Sequence, residues 1–399
     1  MPNYSKSRVR VLEVLPVFRP SMDQREIDAV ADVIKSGWIG LGPKTEEFEN
    51  KFATYVNAKF AIGLSSATAA LHLSLLALGI GKGDEVLVPS MTFVSSSHAV
   101  LYTGARPVFV DIDKETLCMD PKDLEKKINK NSKAVIPVHF GGHPADMDEI
   151  HKISKKHGLY TIEDASHATG SKYKGKMIGG LSDLTCFSFH AVKNLSTGDG
   201  GMVSTNNSSL AKKIKILRWV GINKNTWERE ELVNEKSFRQ YGWYYDVTEL
   251  GYKYHMNDIT AAIGIVQLAK LNKANKKRRQ LANRYTKYIK GEIWLKTPVV
   301  RNDVTTAQHN YVIRTKERDK LNLYLKTKGI STGVHYMPVH HFSFYKNNNL
   351  AANVPITDSL WEELLTLPLY PTLSLNHQYR VIKAIQEFGK INKLLHYGI

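Results

Sequence analysis

The chain has 399 residues, a formal charge of +17, 42% hydrophobic and 10% aromatic side chains, and two cysteines. That length and apolar content support a large core, commonly divided between two domains, and exclude an intrinsically disordered chain. Cys118 and Cys186 stand far apart without C-x-x-C or Cys/His spacing, which argues against a disulfide framework and a structural zinc. The first twenty residues carry Lys6, Arg8 and Arg10 but no continuous apolar run, and no segment approaches the ~18 apolar residues of a membrane span, so a soluble cytoplasmic protein is expected.

A charge of +17 raises the question of a nucleic-acid partner. The lysines are spread over several predicted helices, as at Lys126, Lys127, Lys152, Lys155 and Lys156, and only Lys270 to Arg279, KLNKANKKRR, is concentrated. That segment continues a helical pattern and reads as a solvated charged face. No interleaving of aromatic and basic residues marks a base-stacking surface, so an anionic small substrate is the better match.

In chain order, DQREIDAVADVIKS reads as a helix with Ser21 as N-cap and Gly37 as its stop. GWIGLGPKT follows, a loop whose three glycines either lay backbone against a ligand or another chain or simply connect. A helix over Lys44–Val56 and a strand over Phe60–Leu64 lead into SSATAALHLSLLAL, a helix whose first turn is Ser65, Ser66, Ala67 and Thr68. Such a junction points free backbone N–H groups and the positive helix end at an anion, unless Ser65 or Ser66 merely caps the helix.

Strands at Glu85–Pro89, Pro107–Asp111, Ala134–Val138 and Leu159–Ile162 alternate with helices at Pro121–Ile128 and Asp146–His157, which predicts an α/β fold with a mostly parallel sheet covered on both faces. No G-x-G-x-x-G follows a strand, so a nicotinamide-binding unit is not supported. Phe93 stands just past a strand end, as a core aromatic or a ligand contact. Asp164 ends a buried strand, where a carboxylate is costly unless paired or facing a ligand, and His167 can project to the same side.

Next, CFSFHAVKNLSTGDGGMVSTNN reads as strand, polar turn and strand: Thr185–Phe189, then a strand from near Met202 after two glycines. Lys193 lies on the turn. A lysine so placed is either solvated or positioned to form a Schiff base with a carbonyl compound. After Lys212–Trp219 comes a polar, aromatic segment from INKNTWERE to YGWYYDVTEL that fits no regular element. Asn257 then caps a long helix that becomes densely basic near residue 275. Strands at Asn310–Arg314 and Thr332–Tyr336, a helix at Asp319–Lys328 and a final helix after Asn376 suggest a smaller α+β domain, with boundaries at 1–275 and 276–399. His335, His340 and His341 are read as a loop at a substrate mouth rather than a metal site.

Several of these stretches carry a resemblance together: FSFHAVKN with TGDGGMV, SGWIGLGPKTEEFE, SSATAALHL, GDEVLVPSMTF, EDASHATG, GYKYHMNDI, GVHYMPVH and LPLYP. In this order they resemble the DegT/DnrJ/EryC1/StrS family of pyridoxal-phosphate (PLP) sugar aminotransferases. The resemblance implies the aspartate-aminotransferase-like fold type I of PLP-dependent transferases, with a large parallel-rich domain and a smaller C-terminal one. It implies that Lys193 holds PLP covalently and moves the proton between substrate and cofactor. By the same likeness Ser66, Ala67, Thr68 and Ser188 bind the phosphate, Phe93 stacks on the pyridine, Asp164 keeps the ring nitrogen protonated, and His167 contacts the phenolic oxygen or ring face.

Lys253 and His255 stand where many members have Asn and Arg, on a segment that approaches the neighbouring subunit's site, so Lys253 would meet a phosphate as a point charge. The family further implies L-glutamate as donor, a keto- or aldehydo-sugar acceptor, most often nucleotide-linked, in polysaccharide or amino-sugar biosynthesis, and a homodimer with shared active sites. Members that dehydrate sugars carry His at the lysine position, which Lys193 speaks against. A regulatory or nucleic-acid-binding protein on the same scaffold is favoured only by the charge.

Overall fold

The computed structural model describes residues 14–223 and 245–397. Most of the unassigned aromatic segment lies outside the described residues. Phe60–Leu64 (β1), Glu85–Pro89 (β2), Arg106–Val110 (β3), Ser132–Val135 (β4), Tyr160–Asp164 (β5), Leu184–Ser188 (β6) and Gly201–Thr205 (β7) form one sheet in the order β1-β7-β6-β5-β4-β2-β3. Strands β3, β2, β4, β5 and β6 pair in parallel, and β7 runs antiparallel to both β6 and β1. The carboxyl ends of all strands but β7 therefore share one edge, the edge at which open α/β sheets bind ligands.

Both faces of the sheet are buried, which is why these strands read as near-continuous apolar runs. Successive residues of β6 point into different cores: Phe187 packs with Phe48 and Phe52 on one face, and Cys186 with Leu71 and Ile162 on the other. The helix Pro43–Val56 begins at Gly42 with no side-chain cap of its own. Its N-terminus is capped from a distance, because the buried carboxylate of Asp258 accepts from Gly42 N at 3.0 Å, Thr45 N at 2.8 Å and Thr45 Oγ1 at 2.7 Å. Asp258 opens the long helix Asp258–Ile289, whose N-cap is the expected Asn257.

Two expectations shift. The first helix is Gln24–Ser36 and its N-cap is Asp23, not Ser21: Asp23 and Glu26 form a reciprocal capping box, while the Ser21 carbonyl accepts from Gln267 Nε2. The helix after β7 spans Ser208–Leu217, and the Asn207 side chain caps it through Ser209 N and Leu210 N. Thr332–Tyr336 is not a strand. It meets the neighbouring ladder only at Gly333, opposite Thr366, and the antiparallel partner of Tyr311–Arg314 is Leu364–Leu367. Tyr311, Leu365 and Leu367 build a C-terminal core with Leu281, Tyr285, Leu321 and Ile385.

Candidate active site

A cavity of about 370 Å³ opens at the carboxyl edge of the sheet. It is lined by Ser66, Ala67, Thr68, Phe93, Asp164, His167, Ser188 and Lys193, which unites eight of the nine residues singled out from sequence. Each comes from a strand end or the turn after it, so the shared edge of the parallel strands assembles them. A second cavity of about 380 Å³, beside Lys296, Asn310 and Arg314, shares none of these residues.

The turn after β1 is shaped for an anion. Ser66 is the N-cap of the helix Ala67–Ala77, and its hydroxyl accepts from Ala69 N at 3.0 Å, which leaves the first-turn N–H groups of Ala67 and Thr68 directed outward. Thr68 Oγ1 donates to Ser95 Oγ at 2.8 Å. The turn lies so close to β7 that a Cβ at Gly201 would stand 2.4 Å from the Ser66 carbonyl. Gly201 is thus required for this approach, beyond the chain reversal read from sequence.

Asp164 is 5% exposed; its carboxylate accepts from Ser96 Oγ at 2.7 Å and Ser166 N at 3.1 Å, and among the described residues it has no salt bridge. With no direct ion-pair partner among the described residues, this carboxylate is available to a cationic group bound in the cavity. Its neighbour Glu163 faces away and is fully buried against His139 Nε2 at 2.8 Å and Thr185 Oγ1 at 3.0 Å.

Lys193 sits on the turn after β6. Desolvation of its amine lowers the pKa to about 8, against the opposing pull of Asp164. An ordinary lysine is almost wholly protonated at neutral pH, whereas this one has an appreciable neutral, nucleophilic fraction. His167 is kept neutral by burial, with the charges of Lys193 and His335 acting the same way. Its Nδ1 accepts from Gly141 N at 3.3 Å, so the ring proton is on Nε2 and is donated to the Tyr336 hydroxyl at 3.0 Å.

Phe93 is 59% exposed, which removes the core reading, and its ring is tilted against Tyr336 at 6.2 Å. Lys253 does not join the cavity: its Nζ lies 3.2 Å from the centroid of the Trp219 ring, whose other neighbour is His255 at 4.4 Å. Burial lowers the His255 pKa to about 4. The three histidines near residue 340 also separate. His335 lines the cavity with Nδ1 on Thr366 Oγ1 at 2.8 Å, whereas His340 and His341 face Asp358 at 3.1 and 2.9 Å outside it.

Tyr336, His309 and Phe18 belong to the cavity and were not picked out as site residues. They arrive from segments more than a hundred residues away in sequence from His167, so no local pattern announces them. Tyr336 lies inside the quoted stretch GVHYMPVH, and that was the available signal.

The donor set fits PLP. Outward N–H groups and hydroxyls suit a phosphate, an unpaired buried carboxylate suits a protonated ring nitrogen, and a desolvated amine suits the carbonyl carbon. These features on this sheet define a PLP-dependent transferase of fold type I. The model of the DegT/DnrJ/EryC1/StrS aminotransferase family matches residues 20–386, and the chain belongs to that family. It is a PLP-dependent aminotransferase.

The chain is 41% identical over 385 residues to the spore coat polysaccharide biosynthesis protein SpsC of Bacillus subtilis, covering 94% of this chain and 97% of SpsC. Among solved structures it is similar to the PLP form of the putative sugar aminotransferase Spr1654 from Streptococcus pneumoniae, with TM-score 0.87, 32% identity and coverage of 94% and 99%. It is also similar to DesV of S. venezuelae in complex with a ketimine intermediate, with TM-score 0.85, 34% identity and coverage of 95% and 99%.

Proposed function

We propose that this enzyme aminates a nucleotide-linked keto- or aldehydo-sugar with L-glutamate as donor, in the cytoplasm, on the route to an amino sugar or a cell-surface polysaccharide. The observation that carries the aminotransfer chemistry is the pairing of a desolvated amine, Lys193, with a buried carboxylate, Asp164, in one cavity. PLP supplies an electron sink at the substrate carbon when bound. The protein's residues do the rest. Lys193 takes and returns a proton at the substrate carbon, work that general acid–base catalysis performs with about 10²–10⁴-fold effect. Asp164 holds a proton on the ring nitrogen, and Ser66, Ala67, Thr68 and Ser188 bind phosphate. His167 would contact the phenolic oxygen or the ring face, and Phe93 would stack on the ring.

The sugar reading is supported by family membership and by SpsC, and the charge of +17 suits an acceptor that carries phosphates. We read the assembly as a homodimer with shared sites. Phe93, Val247 and Leu250 are 59%, 58% and 89% exposed in the single chain, and Lys253, outside its own cavity, would serve the phosphate in the partner's. The division into domains 1–275 and 276–399 falls inside the helix Asp258–Ile289, which gives Leu271 to the sheet core and Leu281 to the C-terminal core. Among the described residues no helix is long and apolar enough to cross a membrane.

The decisive experiment loads the enzyme with glutamate until its cofactor is in the amine form, then adds candidate nucleotide keto-sugars singly. Return of the PLP absorption band with one of them identifies the acceptor. Failure of glutamate to produce the amine form would refute the donor, and a return only with free sugars would refute the nucleotide.

A further inference from the structure

Directly after Lys193, the buried Asn194 spends its whole amide on three contacts. Nδ2 donates to Asn275 Oδ1 at 2.8 Å and to the Ala307 carbonyl at 2.8 Å, and Oδ1 faces His309 Nδ1 at 2.9 Å. A backbone carbonyl only accepts, so the amide atom facing Ala307 is nitrogen and the one facing His309 is oxygen. The His309 proton is therefore on Nδ1. Burial above all keeps the ring neutral, and the charges of Lys193 and Arg278 act the same way.

His309 has further ties. Its ring stacks on His167 at 4.4 Å and on Phe18 at 5.3 Å, its N–H donates to the Gly141 carbonyl at 2.9 Å, and its carbonyl accepts from Arg278 Nη1 at 3.4 Å. Gly141 is the residue whose N–H sets the tautomer of His167. His309 thus joins the lysine turn, His167 and the segment that leads into the strand Tyr311–Arg314.

We propose that His309 is a positioning residue for Lys193: its Nδ1–H holds Asn194 and so fixes the turn that aims the reactive amine. Neither residue hydrogen-bonds the amine; His309 acts through Asn194. Misplacement of a reacting group by about 1 Å can cost about 10²-fold, so a tether this short is sufficient to matter. The inference rests on Lys193 as the reactive amine.

Two substitutions separate the ring nitrogens. His309→Asn keeps an amide N–H near the position of Nδ1, and His309→Gln places its amide near Nε2 and loses the tether. The holoenzyme of each, with Asn194→Ala and the double variant His309→Gln/Asn194→Ala, is assayed for the single-turnover rate with glutamate and for the pH midpoint of the cofactor absorption band. His309→Asn should retain several-fold more activity than His309→Gln, while His309→Gln and Asn194→Ala should each lose about 10–100-fold and move the midpoint, with the double variant no worse than either single one. Equal impairment of the Asn and Gln variants, additive losses in the double variant, or an unmoved midpoint would each overturn the proposal. If His309→Gln does not fold, Asn194→Ala and His309→Asn still decide it, the first more impaired than the second. Borohydride labelling of a lysine other than Lys193 would instead overturn the reading beneath it.

Discussion

Lys193 and the basic run Lys270–Arg279 use similar side chains in opposite ways. In the cavity, desolvation takes proton affinity from one amine, lowers its pKa to about 8 and makes it reactive. Along the helix Asp258–Ile289, the basic groups divide by face. Lys273 and Lys276 are exposed, Lys270 is held by Asp23 at 3.2 Å and by Glu26, and Arg278 is 2% exposed. Arg278 has no carboxylate among the described residues; it is satisfied in part by the carbonyl of Leu369 at 2.9 Å, and burial lowers its pKa to about 10. The run is therefore not one solvated face, as its composition suggested. Environment, not the density of basic residues, decides which amine is fitted for chemistry.

The largest effect should come from removing the cavity amine. Lys193→Ala should lower the transamination rate by at least about 10²–10⁴-fold while the cofactor still binds through the phosphate and ring contacts, as dialysis and absorbance would report. Multiple turnovers at near-parental rate in this variant would place the chemistry elsewhere. Asp164→Asn removes the buried charge with little change of size, and a fall in kcat of about 10²-fold with modest loss of cofactor is expected. A rate within a few-fold of the parent would leave Asp164 as a structural acceptor for Ser96 and Ser166 only.

How much of this contrast was legible follows from distance along the chain. β1 and β2 were read at their observed bounds, because short apolar runs there end at a polar turn or a Ser after Pro. A local strand–turn pattern placed Ser66, Asp164 and Lys193 near the ligand-binding edge, whereas Phe93, His167 and Ser188 took their site roles from the family resemblance. Thr332–Tyr336 was misread because β-branched and aromatic residues also suit an extended loop, and only the tertiary pairing of Leu364–Leu367 with Tyr311–Arg314 excludes it. His309, Phe18 and the Asp258 cap act across large sequence separations, where periodicity carries no information. Lys253 was readable as a substitution in a motif, but not as a cation resting on Trp219.

A smaller effect tests the amine by stability. Because the folded-state pKa of Lys193 is lowered from 10.5 to about 8, the unfolded chain binds more protons between those values, so stability of the cofactor-free protein rises with pH across that window. Below about pH 8 both states are protonated and the full cost of the buried charge remains. Lys193→Met should therefore stabilise the cofactor-free protein by about 1–3 kcal/mol at pH 7, with the gain shrinking as pH rises toward 10.5. Melting curves at pH 7 and 10 check this. A pH-independent difference would mean that packing, rather than charge, separates the variants.

The smallest effect is expected at the helix surface, and it separates an enzyme from a nucleic-acid-binding protein on the same scaffold. Lys270 is left in place because its contacts with Asp23 and Glu26 tie the first helix to the long one, and its loss would confuse stability with binding. Lys273, Lys276 and Lys277 can be changed to Gln together. If they served duplex DNA, binding would be appreciable and log K would fall by about 0.9 per neutralised phosphate for each unit of log salt, so the triple variant would flatten that slope. If the charge serves only a small anionic substrate in the cavity, the triple variant should keep its aminotransferase rate and show the same weak DNA interaction as the parent. Submicromolar DNA binding at physiological salt, abolished by the three changes, would show instead that the helix surface carries a function of its own.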